Sequence, residues 1–196
     1  SDLTARAGGL AGSSTGQLYS MIVGITDTTN GLSHLEDRLG IVVGTSAANT
    51  INVSTVLGRG AVGPAIIYGL GGADQLNGTG VSSQLWFVGG AGADKMTGGV
   101  GSDTYLYGVA SESTSAAMDN ITNFDVSKDL LDFTGLGMGL TVVGQLAKGA
   151  TTLGADSVGW RTEGSNTFVY VNTSGSGESL SATGLGTDMR IQLQGM

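Results

Sequence analysis

The sequence predicts an all-β fold: a solenoid of short parallel strands, followed by a β-rich C-terminal region and preceded by a short helical segment. Three observations predict it. A glycine-rich nine-residue pattern repeats in tandem over residues 89–106. One large apolar residue sits at the same place in each copy. The chain holds 36 glycines but a single proline among 196 residues, with 40% hydrophobic residues, a composition that supports a core and does not fit a proline-rich linker.

The tandem copies read Gly89-Gly90-Ala91-Gly92-Ala93-Asp94-Lys95-Met96-Thr97 and Gly98-Gly99-Val100-Gly101-Ser102-Asp103-Thr104-Tyr105-Leu106. Both fit G-G-x-G-x-D-x-U-x, where U is large and apolar. Weaker copies lie upstream. The stretch from Gly69 to Asn77 keeps Gly69, Gly71, Asp74 and Leu76. The stretch from Gly78 to Trp86 places Ser83 and Leu85 in the aspartate and apolar slots, with Phe87 and Val88 as an interruption after it. Gly60 to Tyr68 offers Ala65 and Ile67, and Gly44 to Asn52 offers Asn49 and Ile51. A glycine-rich hexapeptide can bend sharply, because glycine takes positive φ at little cost. The x-U-x tripeptide is a short strand whose middle side chain points inward, here Ile67, Leu76, Leu85, Met96 and Tyr105. The alternative, a Gly/Ser/Thr-rich linker with scattered aspartates, lacks a reason for the fixed apolar position.

This nonapeptide resembles that of the RTX (repeats-in-toxin) proteins, in which such repeats bind calcium. The resemblance implies a parallel β-roll and Ca2+ as the cofactor, held by carboxylates and backbone carbonyls of stacked loops. The metal-site residues it implies are Gly69, Gly71, Asp74, Gly89, Gly90, Gly92, Asp94, Gly98, Gly99, Gly101 and Asp103. In RTX proteins two repeats make one turn. On that resemblance Asp74 stacks on Asp94 as the best site, and Ser83 on Asp103 with one carboxylate fewer. Ala65 and Asn49 in the earlier loops imply few ions.

The chain reads as three regions: 1–43, a helical cap or docking segment; 44–108, the roll; and 109–196, a C-terminal β-sandwich cap. In the first, Leu18, Met21, Ile22 and Ile25 follow helical periodicity, with Ser14 and Gln17 as a capping box. Leu32, Leu35 and Leu39 suggest a second short helix. The pair either caps the open end of the roll, as solenoids require, or docks another subunit. Ser1 in place of Met suggests a processed form or a fragment.

In the third region, Asp119-Asn120-Ile121-Thr122-Asn123-Phe124-Asp125 and Asp129-Leu130-Leu131-Asp132-Phe133 resemble the segment after the roll in serralysin-type proteases and bacterial RTX surface-layer proteins. Asn123 departs from that pattern, where aspartate is usual. The resemblance makes Asp119 a calcium ligand at the end of the roll; a solvated turn residue is the alternative. Ser157–Arg161 and Thr167–Val171 flank Glu163-Gly164-Ser165-Asn166 as a hairpin. Residues 189–194 alternate apolar and polar and are expected to pair at an edge. The chain stops at Gln194-Gly195-Met196, short of a further hydrophobic strand that family members often carry, so a tail is missing or the end is divergent.

The net charge is −8, from 12 Asp and 4 Glu against 8 Lys and Arg, with no basic patch, which argues against nucleic acid as a partner. Acidity suits a chain that binds divalent cations. Cysteine is absent, no apolar run approaches a transmembrane span, and no signal peptide is visible at the start. Catalysis finds little support. The single histidine, His34, cannot form H-E-x-x-H, and Gly12-Ser13-Ser14-Thr15-Gly16 matches G-x-S-x-G without a preceding strand. Asp129 and Asp132 fit capping or calcium better than acid–base work. The aromatic residues Trp86, Phe87, Trp160, Phe168 and Tyr170 fit a core better than a sugar-binding platform.

Two function classes follow. One is a calcium-dependent structural module of a secreted, extracellular or cell-surface protein: a surface layer, sheath or adhesin. Its partners would be calcium ions, further copies in a lattice or filament, and a cell-surface polysaccharide. The other is the C-terminal export and folding module of an RTX protease or lipase. Both imply type I secretion, with the chain unfolded at cytosolic calcium and condensing outside.

Overall fold

The computed structural model describes residues 40–56, 63–137, 139–180 and 188–196. The helices expected before residue 40 lie outside them. Along the chain run β1 (Gly40–Val43), β2 (Thr50–Asn52), a single helical turn α1 (Val53–Val56), β3 (Ala65–Gly71), β4 (Gln75–Asn77), β5 (Leu85–Ala91), β6 (Lys95–Thr97) and β7 (Thr104–Leu106). There follow β8 (Asp119–Thr122), β9 (Leu130–Asp132), β10 (Thr141–Gln145), β11 (Thr152–Leu153), β12 (Ser157–Glu163), β13 (Asn166–Asn172), β14 (Glu178–Ser179) and β15 (Met189–Gln194). The all-β class and parallel pairing expected from the repeats are both present.

The strands alternate between two sheets. The odd-numbered strands β1, β3, β5, β7 and β9 form one parallel sheet, and β2, β4, β6 and β8 form the start of another. Each sheet contributes a column of side chains to the space between them. Val42, Ile67, Phe87, Tyr105 and Leu131 are register partners in the first. Ile51, Leu76, Met96 and Ile121 are partners in the second, which continues to Leu193. Nearly all of them are buried, and the rings of Phe87 and Tyr105 stack at 5.2 Å between centroids. Burial of each such side chain contributes about 1.5–3 kcal/mol. A strand of three residues can bury only its middle one, because side chains alternate between faces. The turn is therefore stable only as part of a stack.

The columns correct one expectation. Phe87, not Leu85, is the apolar partner of Ile67 and Tyr105. The two extra residues of this repeat lie in its loop, before the strand. Leu85 consequently falls two residues earlier, in the place that aspartate holds elsewhere, and is itself fully buried. Among the described residues the parallel pairing is also longer than the glycine repeats, running from Gly40 through Asp132. β1, β8 and β9 lack the glycine pattern but keep an apolar residue in the column.

The C-terminal strands extend the second sheet, in the order β8, β15, β13, β12, β10. β12 and β13 form the expected hairpin, turning at Gly164 with φ 64°. β15 is not at an edge. It pairs antiparallel with β13 and parallel with β8, and buries Met189, Ile191 and Leu193. The edge is β10, which leaves Val142 and Val143 exposed. One face of these strands packs on the core between the sheets; the other carries Tyr170, covered by Leu153 of β11 and by Leu180 beside β14. Phe87 and Tyr170 are core residues, whereas Trp160 is partly exposed.

Candidate functional site

Two residues before each column residue, the chain leaves its loop and enters a strand. On one edge of the stack those positions are Asn49, Asp74, Asp94 and Asp119; on the other they are Ala65, Leu85, Asp103 and Asp129. The first set forms a ladder of carboxylates. Asp74 Oδ1 accepts the Asn49 amide at 2.6 Å, Asp94 Oδ1 the Asp74 amide at 2.8 Å, and Asp119 Oδ1 the Asp94 amide at 2.9 Å. The ladder ends where Ser113 Oγ accepts the Asp119 amide and donates to the carbonyl of Arg190. Asp74 thus lies next to Asp94, as expected, and Asp119 joins them instead of standing in a solvated turn.

Asp74 and Asp94 are each 1% exposed and Asp119 is fully buried. The second oxygen of Asp119 accepts the Tyr107 hydroxyl at 3.1 Å. The second oxygens of Asp74 and Asp94 have no hydrogen-bond partner. A buried, unpaired carboxylate oxygen is costly and is relieved by a proton or by a cation. Burial raises the carboxyls of all three. Asp119 is pushed up to about 8, and Asp94 to about 6 by burial and then by its neighbours Asp74 and Glu112. The amide donors act against that rise but do not cancel it.

The glycines leave room for carbonyls beside these oxygens. A side chain at Gly69 or Gly89 would run into the carboxylate of Asp74 or Asp94. Gly90 and Gly92 hold φ 94° and 142°, and a Cβ on either would meet the Leu70 or Gly72 carbonyl of the neighbouring loop. Gly71 is less crowded. Among the described residues no three His, Cys, Asp or Glu side chains converge on one point. A cation between these loops would therefore draw most of its shell from carbonyls, as calcium sites can. The donor set fits a hard divalent ion: two buried, unpaired carboxylate oxygens at loops with no sulfur or imidazole ligand.

The loop at 98–103 is built differently. Asp103 Oδ1 accepts the Leu85 amide at 3.1 Å, and Oδ2 accepts the Gly99 amide of its own loop at 2.6 Å. Gly98 sits against the Tyr105 hydroxyl and Asp103, Gly99 against the Val81 carbonyl, and Gly101 against the Ser83 carbonyl. Ser83 does not share the aspartate position; Leu85 does. Asp129, which the sequence offers for capping or calcium, continues this ladder by accepting the Asp103 amide at 2.8 Å. It stands two residues before Leu131, as Asp103 does before Tyr105, and that spacing was the available signal. Burial pushes Asp103 up to about 6.

The family model for the C-terminal domain of serralysin-type M10 peptidases matches residues 86–179. Two solution structures from the Azotobacter vinelandii mannuronan C5-epimerase are similar. Its AlgE6R3 subunit is 29% identical with a TM-score of 0.49, over 79% of this chain and 74% of that one. Its AlgE6R2 subunit is 23% identical with a TM-score of 0.46, over 84% and 87%. No curated protein matches the chain. The tandem glycine–aspartate repeats and this family match support the RTX β-roll family, the chain being similar over residues 86–179 to the serralysin C-terminal domain.

Proposed function

We propose that the chain is a calcium-dependent structural module of a secreted protein: a parallel β-roll closed by a C-terminal β-sandwich cap, without catalytic residues of its own. The observation that carries this reading is the pair of buried, unpaired oxygens on Asp74 and Asp94, one turn apart at glycine-rich loops. Gly69, Gly71, Gly89, Gly90 and Gly92 keep those loops close, and Asp119 extends the site. The ion supplies the positive charge that these carboxylates lack among nearby side chains. Since the site hardly exists in an unfolded chain, its binding energy adds to folding energy. The roll, placed at 44–108 by its glycine repeats, takes in the described residues from 40 to 132, with the cap after it.

The preferred role is a surface layer, sheath or adhesin, with further copies or a cell-surface polysaccharide as partners. The second reading, a C-terminal folding and export module of an enzyme, is favoured by the family match itself. Light scattering through a calcium titration separates the two. Reversible growth into large assemblies supports the structural role, and compaction to a monomer supports the export module. In calorimetry, Asp94→Ala is expected to weaken calcium binding about tenfold or more. Asp156→Ala, at a turn outside the ladder, should leave it unchanged. Equal effects would contradict the ladder as the site.

A further inference from the structure

The two tandem repeats that match the motif letter for letter do not form the same loop. At 89–94, Gly90 has φ 94° and the second oxygen of Asp94 is unpaired. The less regular loop at 69–74 copies that shape: Leu70, at the matching position, has φ 78°, and the second oxygen of Asp74 is unpaired. At 98–103 no residue has positive φ, and the Gly99 amide is turned onto Asp103 instead.

The carbonyls of that loop are also taken. Asn123 Nδ2 donates to the carbonyls of Gly98 and Gly99 at 3.0 and 2.8 Å. Lys128 Nζ donates to the Val100 carbonyl at 2.6 Å and pairs with Asp125 at 3.4 Å. Below, Asp129 uses both oxygens on the Asp103 and Asp125 amides. Above, the aspartate position is Leu85 and then Ala65. Every carboxylate oxygen of Asp103 and Asp129 is hydrogen-bonded, and the atoms left unpaired nearby are the neutral hydroxyls of Ser83 and Tyr105. Among the described residues, no lysine or asparagine side chain donates to the carbonyls of 69–72 or 89–92.

We propose that the two edges of the roll are chemically different. Calcium is taken at Asp74 and Asp94, on the edge that Asp119 ends, whereas at the Asp103–Asp129 edge the Lys128 ammonium and the Asn123 amide occupy the loop carbonyls in place of an ion. The second edge therefore forms without calcium. This inference rests on the reading of the module as a calcium binder and narrows it to one side.

Calcium calorimetry on the full chain, combined with melting in chelator, tests it. Asp103→Asn is expected to leave the number of bound ions unchanged, while Asp94→Asn lowers it. Asn123→Asp with Lys128→Gln replaces the amide donor at this loop by a carboxylate and removes the ammonium charge, at a surface where the lysine is about one-third exposed. That double variant is expected to melt earlier than wild type in chelator, to recover in millimolar calcium and to bind more calcium than wild type. Fewer ions in Asp103→Asn would overturn the one-sided scheme. So would a double variant that melts like wild type in chelator and gains no ion. Should Asp103→Asn fail to fold, the double variant still decides the matter. A wild-type chain that binds no calcium fails differently, since it removes the calcium reading itself.

Discussion

Leu70 is the least comfortable backbone position in the roll. Its φ of 78° lies in the left-handed region, where a branched side chain is strained by about 1–2 kcal/mol. The side chain is partly exposed and contributes little packing in return. The same place in the next turn is Gly90, which takes the conformation freely. Leu70→Gly is expected to stabilise the chain by up to about 1 kcal/mol in denaturant titration, once the entropy of the extra glycine is subtracted. Tyr107 gives a second residue-scale test. Its hydroxyl is the donor to the second oxygen of fully buried Asp119, and Tyr107→Phe leaves that oxygen without it. The expected loss is about 1–3 kcal/mol, measured by denaturant titration in chelator.

At the scale of the element, stability comes from columns, not from single strands. Met96 touches the core through a three-residue strand, held between Leu76 and Ile121 on the adjacent turns. Met96→Ala is expected to cost about 2–5 kcal/mol by thermal or denaturant unfolding. The columns also show what could be read in the sequence. Asp74 and Asp94 were legible as neighbours because the winding between their turns keeps their loops alike. Leu85-Trp86-Phe87 was not, since two apolar residues at alternate positions satisfy the strand pattern in either register. Only pairing with Ile67 and Tyr105 decides it. Asp103 shows the opposite case: its own nine letters are perfect, but its surroundings are set by Asn123 and Lys128, which come from the next turn. The inward position of β15 was hidden for the same reason, because its partner β8 lies far back in the chain.

Across the whole molecule, the buried carboxylates link stability to pH and to calcium. The folded-state values of Asp94 and Asp103 rise to about 6, and that of Asp119 to about 8, above the ordinary aspartate range. The folded chain thus holds more protons than the unfolded one between roughly pH 4 and 8, so stability must fall as pH rises through that window. In chelator, the melting temperature is expected to rise on acidification from pH 8 to pH 5. In calcium the trend reverses at the binding step, because protons compete for Asp94 and Asp119, and affinity drops over the same interval. A melting temperature in chelator that falls on acidification would contradict the buried ladder. The most direct test of the central claim is far-ultraviolet circular dichroism of the full chain, titrated from chelator to millimolar calcium. The account predicts a β signal already partial in chelator, where the Asp103–Asp129 edge is formed, that rises further with calcium, and Asp94→Asn shifts that rise to higher calcium. A spectrum that calcium leaves unchanged would contradict it.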